Sequence, residues 1–456
     1  MYSILARHIL YPIAEKFTGT KLMKYLNEFE DTQWWSPQQL RELQNEKLRA
    51  LIIHAYENVP YYRRIFDERG LSDRDIQTVE DLKKLPILTK DDIRQNAKDM
   101  LAKDFQQWKP IYGTTGGSTG TPLECYTTMD GASVRWAVAF RGWGWAGYKI
   151  GDKRAHIGGT SIGATTQLDL KKRVRFLIER VMPISTYILD EERIALYIRK
   201  LTNYKPKFIY GYASAIYMLA EYLTKYKIIN ITPIAIFTTA ETLLPYYRMS
   251  IEKAFHCKVF DCYGCGDGGA QAYECPTHNG YHLAIERAII EFIDTNNNII
   301  KPGQTGDIIS TDLHNYAMPF IRYNTGDMGA LAETHCSCGR GLTLMKSIEG
   351  RILDFILLPN GNKIRGLRLI DLFYEHIGGG YIKELSTIKQ FQLIQNKQDE
   401  LIVRIVQGAA PTDDEIDYLK SELVKALMYP MDIKFEFVDM IEQTKNAKRK
   451  FIISNL

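Results

Sequence analysis

Long apolar runs, a disulfide framework and a strong excess of basic charge are all missing from this sequence of 456 residues. No apolar stretch reaches the ~18–20 residues that a membrane-spanning helix needs, so we expect a cytoplasmic protein without a transmembrane segment. Seven cysteines are an odd number without the spacing of a small disulfide scaffold. The 58 basic and 54 acidic residues nearly balance, which argues against a nucleic-acid-binding protein. These absences together favour a compact soluble enzyme.

A glycine-rich and hydroxyl-rich stretch, YGTTGGSTGTP at residues 112–122, is the strongest local signal. Its residues 113–121 are four glycines, four threonines and one serine. Glycine lets the backbone approach an anion closely, and hydroxyl and amide groups supply donors for phosphate oxygens. A P-loop is excluded because Thr121, and not lysine, follows Gly120. The stretch therefore predicts a phosphate cradle; the alternative is a flexible surface loop.

The order of periodic segments predicts an α/β protein with two domains. Residues 1–110 have helical periodicity and form a helical lead-in, and the first amphipathic helix could rest on a membrane surface. Strand-like and helix-like runs alternate between residues 205 and 264, which predicts a parallel sheet with crossover helices. We expect a large N-terminal domain at residues 1–352, built of several subdomains, and a small α+β domain at residues 353–456.

Polar motifs follow the predicted strands at their carboxyl ends, where ligands bind in such sheets. The first motif is TTAE with Glu241, and the second is YGCGDGG with Tyr263, Gly264 and Asp267. Asp267 could hold Mg²⁺, which binds few carboxylates together with phosphate oxygens, or it could cap a helix. Asp327 in RYNTGD could bind ribose hydroxyls, or it could belong to an ordinary turn.

A basic tail, KNAKRKF, lies near the end of the sequence and contains Lys445 and Lys448. A charge run of this kind is usually a solvated surface. A carboxylate that attacks a phosphate nevertheless meets like-charge repulsion. A lysine about 4 Å away offsets roughly 4 kcal/mol of it at an effective dielectric constant of about 20. A single cation from this tail would therefore suffice for such chemistry.

The ordered set YGTTGGSTGTP, TTAE, YGCGD, RYNTGD, GRILD and the terminal lysine resembles the adenylate-forming ligase superfamily. Within it, the chain resembles the phenylacetate–coenzyme A ligase branch, and most of all the ligases associated with capsular polysaccharide biosynthesis. The resemblance covers most of the chain. It implies an adenylation domain and a mobile C-terminal lid domain. It also implies two half-reactions, in which a carboxylate and ATP give an acyl-adenylate and the acyl group then moves to an acceptor.

The resemblance also implies roles for individual residues. Glu241, Tyr263 and Gly264 would border the adenine and the acyl carboxylate, and Asp267 would bind Mg²⁺. The triphosphate would lie against Thr114, Thr115, Ser118, Thr119 and Gly120. Asp327 would bind the ribose with support from Arg351, Asp354 would lie at the hinge, and Lys448 would bridge the carboxylate and the α-phosphate.

The sequence departs from the family pattern at three points. Asp267 stands where the superfamily usually has glutamate, the cradle has no lysine after Gly120, and the tail lacks the usual proline, arginine and glycine. The last departure leaves Lys445 as an alternative to Lys448.

A separate cysteine and histidine pattern predicts a structural zinc site. CPTH contributes Cys275 and His278, and CSC contributes Cys336 and Cys338, which makes a Cys₃His set suited to tetrahedral zinc. His282 and His335 compete for the imidazole position. Four protein ligands leave no open position for water, so the site would be structural; the alternative is four unconnected side chains. The remaining cysteines are interpreted as core thiols.

The sequence therefore predicts an ATP-dependent, AMP-forming ligase of a small carboxylic acid. The acyl acceptor would be coenzyme A, a carrier thiol or the amine of a surface-glycan sugar. One alternative is a catalytically degenerate nucleotide-binding or scaffold protein of a polysaccharide assembly complex, which the departures in the tail favour. A zinc-dependent hydrolase is disfavoured because the sequence has no HExxH motif.

Overall fold

The protein is described by a computed structural model. The structure describes residues 2–114, 123–159, 170–186, 189–351, 355–361, 363–365, 369, 388–407, 412–442 and 451–456. Its contacts divide the chain into two units. The first comprises residues 1–243 and 250–348, and the second comprises residues 244–249 and 349–456. The boundary at 348/349 lies just before the domain boundary that the sequence predicts.

Helices make up most of the first hundred residues. They are α1 (Tyr2–Leu5), a π-helical turn (Ala6–Leu10), α2 (Tyr11–Thr18), α3 (Leu22–Thr32), α4 (Pro37–Asn58), α5 (Pro60–Glu68) and α6 (Lys90–Gln95), with 3₁₀ turns at Asp73–Asp75, Val79–Lys84 and Phe105–Trp108. Ser36 caps α4 by accepting a hydrogen bond from the Gln39 N–H, and Pro37 fits the first helical position, where no N–H partner is needed. Pro60 begins α5 in the same way, directly after the break that ends α4.

A mixed sheet fills the centre of the first unit. Within the described residues it has eleven strands, in the order β10-β11-β12-β13-β9-β8-β7-β6-β5-β3-β4. The strands are β3 (Arg154–Gly158), β4 (Val181–Ser185), β5 (Phe208–Tyr212), β6 (Ala235–Thr239), β7 (Lys258–Gly264), β8 (Gln271–Glu274), β9 (Tyr281–Leu283), β10 (Ala288–Ile293), β11 (Thr305–Asp312), β12 (Tyr323–Leu331) and β13 (Leu344–Arg351). A separate hairpin pairs β1 (Pro110–Thr114) with β2 (Glu124–Thr128).

The parallel part of the sheet runs from β4 to β7, with β3, β5, β6 and β7 joined through crossover helices. The helix α7 (Met129–Gly144) precedes β3. The helices between β3 and β7 are α8 (Leu170–Glu179), α9 (Glu191–Tyr204), α10 (Ala213–Lys225) and α11 (Pro245–Phe255). The buried strands are nearly continuous apolar runs, as expected for parallel strands covered on both faces. The α/β fold class is therefore confirmed. All the carboxyl ends of these strands meet at one edge.

Leu88 connects the helical lead-in to the sheet. Its N–H donates to the carbonyl of Arg322 at 2.9 Å, and its carbonyl accepts from the N–H of Asn324 at 2.9 Å. Residue 88 thus forms a parallel bridge with Tyr323, the first residue of β12. The lead-in also packs into the same buried apolar cluster as Tyr263 and Tyr323.

The second unit has a four-stranded sheet and one helix among its described residues. The sheet order is β18-β17-β16-β19, formed by β16 (Ile388–Lys397), β17 (Glu400–Gln407), β18 (Asp432–Phe437) and β19 (Ile452–Ser454), and α12 spans Asp413–Leu427. A short hairpin pairs β14 (Phe355–Leu357) with β15 (Lys363–Arg365). Thr412 and Glu415 form a capping box that fixes the start of α12. This small α+β unit agrees with the sequence prediction.

Candidate active site

The TTAE and YGCGD motifs both lie at the carboxyl edge of the parallel strands. Gly264 is the last residue of β7, and Glu241 follows β6 by two residues. Ala240 adopts a left-handed conformation with φ of 68°, which is uncommon for a residue with a side chain. The turn directs the Glu241 carboxylate to the first turn of α10, where Oε2 accepts from the Ser214 N–H at 3.0 Å. Glu241 therefore also neutralises a helix N-terminus.

Asp267 is held by hydrogen bonds to both of its carboxylate oxygens. The Tyr323 hydroxyl donates to Oδ2 at 2.6 Å, and the Cys265 thiol donates to Oδ1 at 2.9 Å. Burial, followed by the charge of Asp267, raises the pKa of Tyr323, so the phenol remains a donor. A Cβ on Gly268 would lie 2.7 Å from the Tyr323 ring, so the close approach of this turn to β12 requires glycine.

Asp327 is presented by an irregular part of β12. The pairing of β11 with β12 shifts register between Asp307 and Ile309, and Gly326 has φ of 78°, as in a β-bulge that redirects a side chain. Asp327 is buried, and its Oδ2 accepts from the Tyr263 hydroxyl at 2.9 Å. Burial, followed by the charge of Asp327, raises the pKa of Tyr263. Each of the two carboxylates therefore has a neutral tyrosine as its donor.

The β1–β2 hairpin, whose strands flank the glycine-rich stretch in sequence, packs against this site. Thr114 pairs with Glu124, so residues 115–122 connect the two strands. Leu123 belongs to the buried cluster that contains Tyr263, Cys265 and Tyr323, and Cys125 packs against it. Burial, followed by the charge of Asp267, raises the pKa of Cys125 to about 12. The start of β2 therefore lies near Asp267.

Several predicted site residues fall outside the described part of the chain. They are Thr115, Ser118, Thr119, Gly120, Asp354, Lys445 and Lys448. Thr114 ends β1 and Arg351 ends β13, but the positions of their side chains are not described.

Sequence reasoning missed Tyr323 and Arg135. Tyr323 is the second residue of the RYNTGD motif and the first of β12, and its approach to Asp267 depends on how β12 packs in the sheet. Arg135 is exposed, although it shares a face of α7 with Gly142, where a Cβ would lie 2.5 Å from the ring of Tyr273 on β8. Burial, followed by the charge of Arg287, lowers the pKa of Arg135. Arg135 is therefore an exposed cation on α7.

Three cysteines and one histidine form a second cluster. The ligand atoms of Cys275, His282, Cys336 and Cys338 all lie within 4.8 Å of one another. Cys275 Sγ is 3.7 Å from Cys336 Sγ, and Cys338 Sγ is 3.3 Å from His282 Nε2. A tetrahedral zinc ion with Zn–S bonds of ~2.3 Å separates two sulfurs by about 3.8 Å. Burial lowers the pKa of His282 to about 4, which keeps the imidazole in the neutral form that binds metals.

The structure brings His282 to this cluster in place of the predicted His278. His278 has a left-handed backbone with φ of 50°, and its Nδ1 lies 3.3 Å from Glu274 Oε2. In the tight turn after Cys275, the His278 N–H donates to the Cys275 carbonyl. The His278 ring packs against the ring of Phe260, with 4.7 Å between the ring centroids. His282 lies on β9, opposite Tyr273, so the hairpin register positions it. Sequence spacing alone favoured the nearer histidine.

Solved structures share this fold across nearly the whole chain. A 2-hydroxyisobutyryl-CoA ligase in the postadenylation state matches with a TM-score of 0.73 over 94% of this chain and 92% of that chain, at 19% identity. The anthranilate CoA ligase AuaEII matches with a TM-score of 0.53 over 74% and 64% of the two chains, at 12% identity. This likeness shows that the chain has the fold of these ligases.

Sequence relatives identify the family more closely. Protein CapK of Staphylococcus aureus is 30% identical over 91% of this chain and 90% of its own length. The phenylacetate–coenzyme A ligase of Escherichia coli K12 is 28% identical over 77% of this chain and 80% of its own length. The model of the CapK C-terminal domain matches residues 359–455. The chain belongs to the CapK family, a relative of the phenylacetate–coenzyme A ligases, and is an AMP-forming acid ligase. The resemblance read from the sequence is thus confirmed.

Proposed function

We propose that this ligase activates a small carboxylic acid as an acyl-adenylate and transfers the acyl group to a thiol or amine acceptor during capsular or surface polysaccharide assembly. The packing of the β1–β2 hairpin against the cluster of Tyr263, Cys265 and Tyr323 carries the proposal. The strands that flank the glycine-rich stretch in sequence thus pack beside the Asp267 carboxylate at the carboxyl edge of a parallel sheet. That combination suits a magnesium triphosphate, and the CapK relationship supports the polysaccharide context.

The carboxylates take different parts in this proposal. Asp267 binds Mg²⁺, because its two oxygens are oriented by Tyr323 and Cys265 and retain lone pairs for a metal or its water. Asp327 binds the ribose hydroxyls, with Tyr263 fixing its orientation, and Arg351 supports the ribose. Glu241, Tyr263 and Gly264 border the adenine and the acyl carboxylate. The glycine-rich residues Thr114, Thr115, Ser118, Thr119 and Gly120 surround the triphosphate.

Arg135 supports an anionic substrate. Within the described part of the chain, the only contact shown for its guanidinium is with the ring of Trp136, at 5.9 Å. A guanidinium that is partly desolvated and lacks a carboxylate partner attracts a substrate carboxylate. In this proposal Arg135 attracts the carboxylate of the acid.

The cysteine cluster holds a structural zinc ion in this proposal. Cys275, His282, Cys336 and Cys338 supply four ligands at tetrahedral separations, and the two chain segments are about sixty residues apart. Zinc would fix the turns that follow β8 and precede β13. Metal analysis of the purified protein tests this, since we expect about one zinc ion per chain in the wild type.

ATP–pyrophosphate exchange with a panel of aryl, acyl, hydroxy and amino acids tests the activation step. We expect exchange with at least one acid that requires Mg²⁺ and falls at least about a hundredfold in Asp267→Asn, because a charged magnesium ligand is lost. The exposed Asp31→Asn is the matched control and should retain full exchange.

The acceptor is identified by adding coenzyme A, a phosphopantetheine carrier or an amino-sugar nucleotide to the reaction that shows exchange. The acceptor that consumes the acyl-adenylate is the one used. ATP binding without exchange for any acid would reject the enzymatic proposal and favour the nucleotide-binding scaffold, which the unusual KNAKRKF tail supports.

A further inference from the structure

The N-terminal helices leave a stripe of large apolar side chains uncovered. Ile9, Ile13 and Phe17 recur every four residues, and the preceding turn adds Ile4 and Leu5. Phe17 is 87% exposed and Ile4 is 67% exposed. Residues four apart lie on one face of a helix, so the stripe is continuous along the segment. Its other side anchors it to the protein, since Ala6 is fully buried.

A second apolar stripe lies on α8. Val174, Leu177 and Ile178 have the i, i+3, i+4 spacing of one helical face, and Leu177 is 79% exposed. The two helical segments that carry the stripes are joined where the Tyr2 hydroxyl donates to the Ile178 carbonyl at 2.6 Å. We call their eight side chains the N-terminal patch: Ile4, Leu5, Ile9, Ile13, Phe17, Val174, Leu177 and Ile178. Scattered exposed apolar residues are ordinary, but a cluster of this size on adjoining helices indicates an interaction surface.

Basic side chains surround the patch. The α8 sequence LKKRVRFLIE contains four cations, of which Arg173 and Arg175 are exposed, and Arg180 follows it with its guanidinium 4.7 Å from the ring of Tyr2. Lys16 is exposed beside Phe17. The acidic Glu179 at the end of α8 is buried, where it binds Arg154 at 2.7 Å and Arg175 at 2.6 Å, so Arg173, Arg180 and Lys16 supply the excess cations. The surroundings of the patch therefore carry net positive charge.

We infer that the N-terminal patch docks on an anionic membrane surface, with the helices lying in the interface and their apolar side chains inserted among the lipid headgroups. Apolar residues on one face with cations at its margin are the pattern of interfacial helices that bind acidic lipids. A symmetric contact with a second copy is disfavoured, because it would place the same cations of the two copies near one another, where they repel. Among the described residues, no helix is long and apolar enough to cross a membrane. The protein would therefore be held at the surface.

Co-sedimentation of the full chain with vesicles tests this inference. We expect binding to phosphatidylglycerol–phosphatidylcholine vesicles, weak binding to pure phosphatidylcholine, and release as salt is raised to about 0.5 M. Phe17→Glu and Leu177→Glu should each lower the partition coefficient at least about tenfold, because each places a charge in the apolar layer. Arg173→Gln should lower binding to the anionic vesicles alone.

Ile229→Glu is the matched control, since Ile229 is 73% exposed and lies outside both stripes; it should bind like the wild type. All variants replace exposed side chains, so unchanged thermal unfolding midpoints would show that they fold. Equal binding by wild type and Phe17→Glu, or equal binding to neutral and anionic vesicles, would overturn the inference. A dimer in size-exclusion chromatography that Phe17→Glu dissociates, without vesicle binding, would assign the patch to self-association instead.

Discussion

At the scale of single residues, Asp267 depends on donors that come from elsewhere in the sequence. The family usually has glutamate here, so the carboxylate of this chain is shorter by one methylene. Tyr323 from β12 and Cys265 from the preceding turn fix its orientation at hydrogen-bond distance. The YGCGD motif identified the carboxylate and its neighbouring thiol, but no local pattern could identify a tyrosine 56 residues away.

Replacement of Tyr323 by phenylalanine tests this arrangement. A hydrogen bond to a charged group contributes about 1.5–3 kcal/mol, so kcat/KM for magnesium–ATP in pyrophosphate release should fall by roughly ten- to a hundredfold. Tyr226→Phe, which removes an exposed hydroxyl bound to Glu191, should leave the rate unchanged. Wild-type kinetics in Tyr323→Phe would show that Asp267 needs no such support.

His314 gives the protein a defined sensitivity to acid. Burial, followed by the charge of Lys47, lowers the pKa of His314 to about 3, although the Glu286 carbonyl and Asp130 act in the opposite direction. The unfolded chain binds a proton near pH 6.5 and the folded chain does not, so stability falls as the pH drops below about 6.5 toward 3. At pH 4.5 the loss from this group is about 2–3 kcal/mol.

Urea titrations between pH 4.5 and 7.5 would measure this effect. His314→Gln should have a flatter dependence of unfolding free energy on pH than the wild type. His8→Gln, at an exposed position, should keep the full slope. Parallel pH curves for wild type and His314→Gln would assign the acid sensitivity to other groups.

At the scale of secondary-structure elements, the sequence predicted the sheet better than the cysteine cluster. The succession β5–α10–β6–α11–β7 is encoded locally, because each strand is an apolar run and each helix has its own periodicity. The histidine of the cluster depends on the register of β8 and β9, which the left-handed turn at His278 sets. Sequence spacing contains no information on that turn, so the choice of His282 over His278 depends on the three-dimensional structure.

Removal of the metal should destabilise the elements around the cluster. We expect a strong chelator to lower the thermal unfolding midpoint of the wild type by several degrees, because metal-binding free energy is part of folding free energy. Cys338→Ser should lose zinc and no longer respond to the chelator, and His278→Ala should keep zinc. Cys257→Ser, at a cysteine outside the cluster, is the matched control. Full zinc content in His282→Ala would contradict the ligand set.

At the scale of the whole molecule, the sequence predicts a small second domain that begins near the GRILD motif, whereas the strand order of the large sheet could not be predicted. The pairing of β9 with β13, whose partners His282 and Leu344 are distant in sequence, depends on packing of the complete sheet. Local periodicity does not determine such long-range pairing.

The two tail lysines provide a test of the complete reaction. We expect Lys448→Ala to lower acid-dependent pyrophosphate release by about three orders of magnitude, because one cation ~4 Å from the reacting anions contributes roughly 4 kcal/mol. Lys445→Ala should keep at least about half of the activity. The reverse result would transfer the role to Lys445. Equal, full activity in both variants would remove a tail lysine from the chemistry.

The bridge between Leu88 and β12 has a practical consequence for protein engineering. A shortened version that starts near the glycine-rich stretch would appear, from motifs alone, to retain every adenylation signature. It would nevertheless leave the N–H of Asn324 and the carbonyl of Arg322 without their partners, and it would expose the start of the strand that carries Tyr323. Expression trials and domain grafts should therefore treat the first hundred residues as inseparable from the nucleotide-binding half of the enzyme.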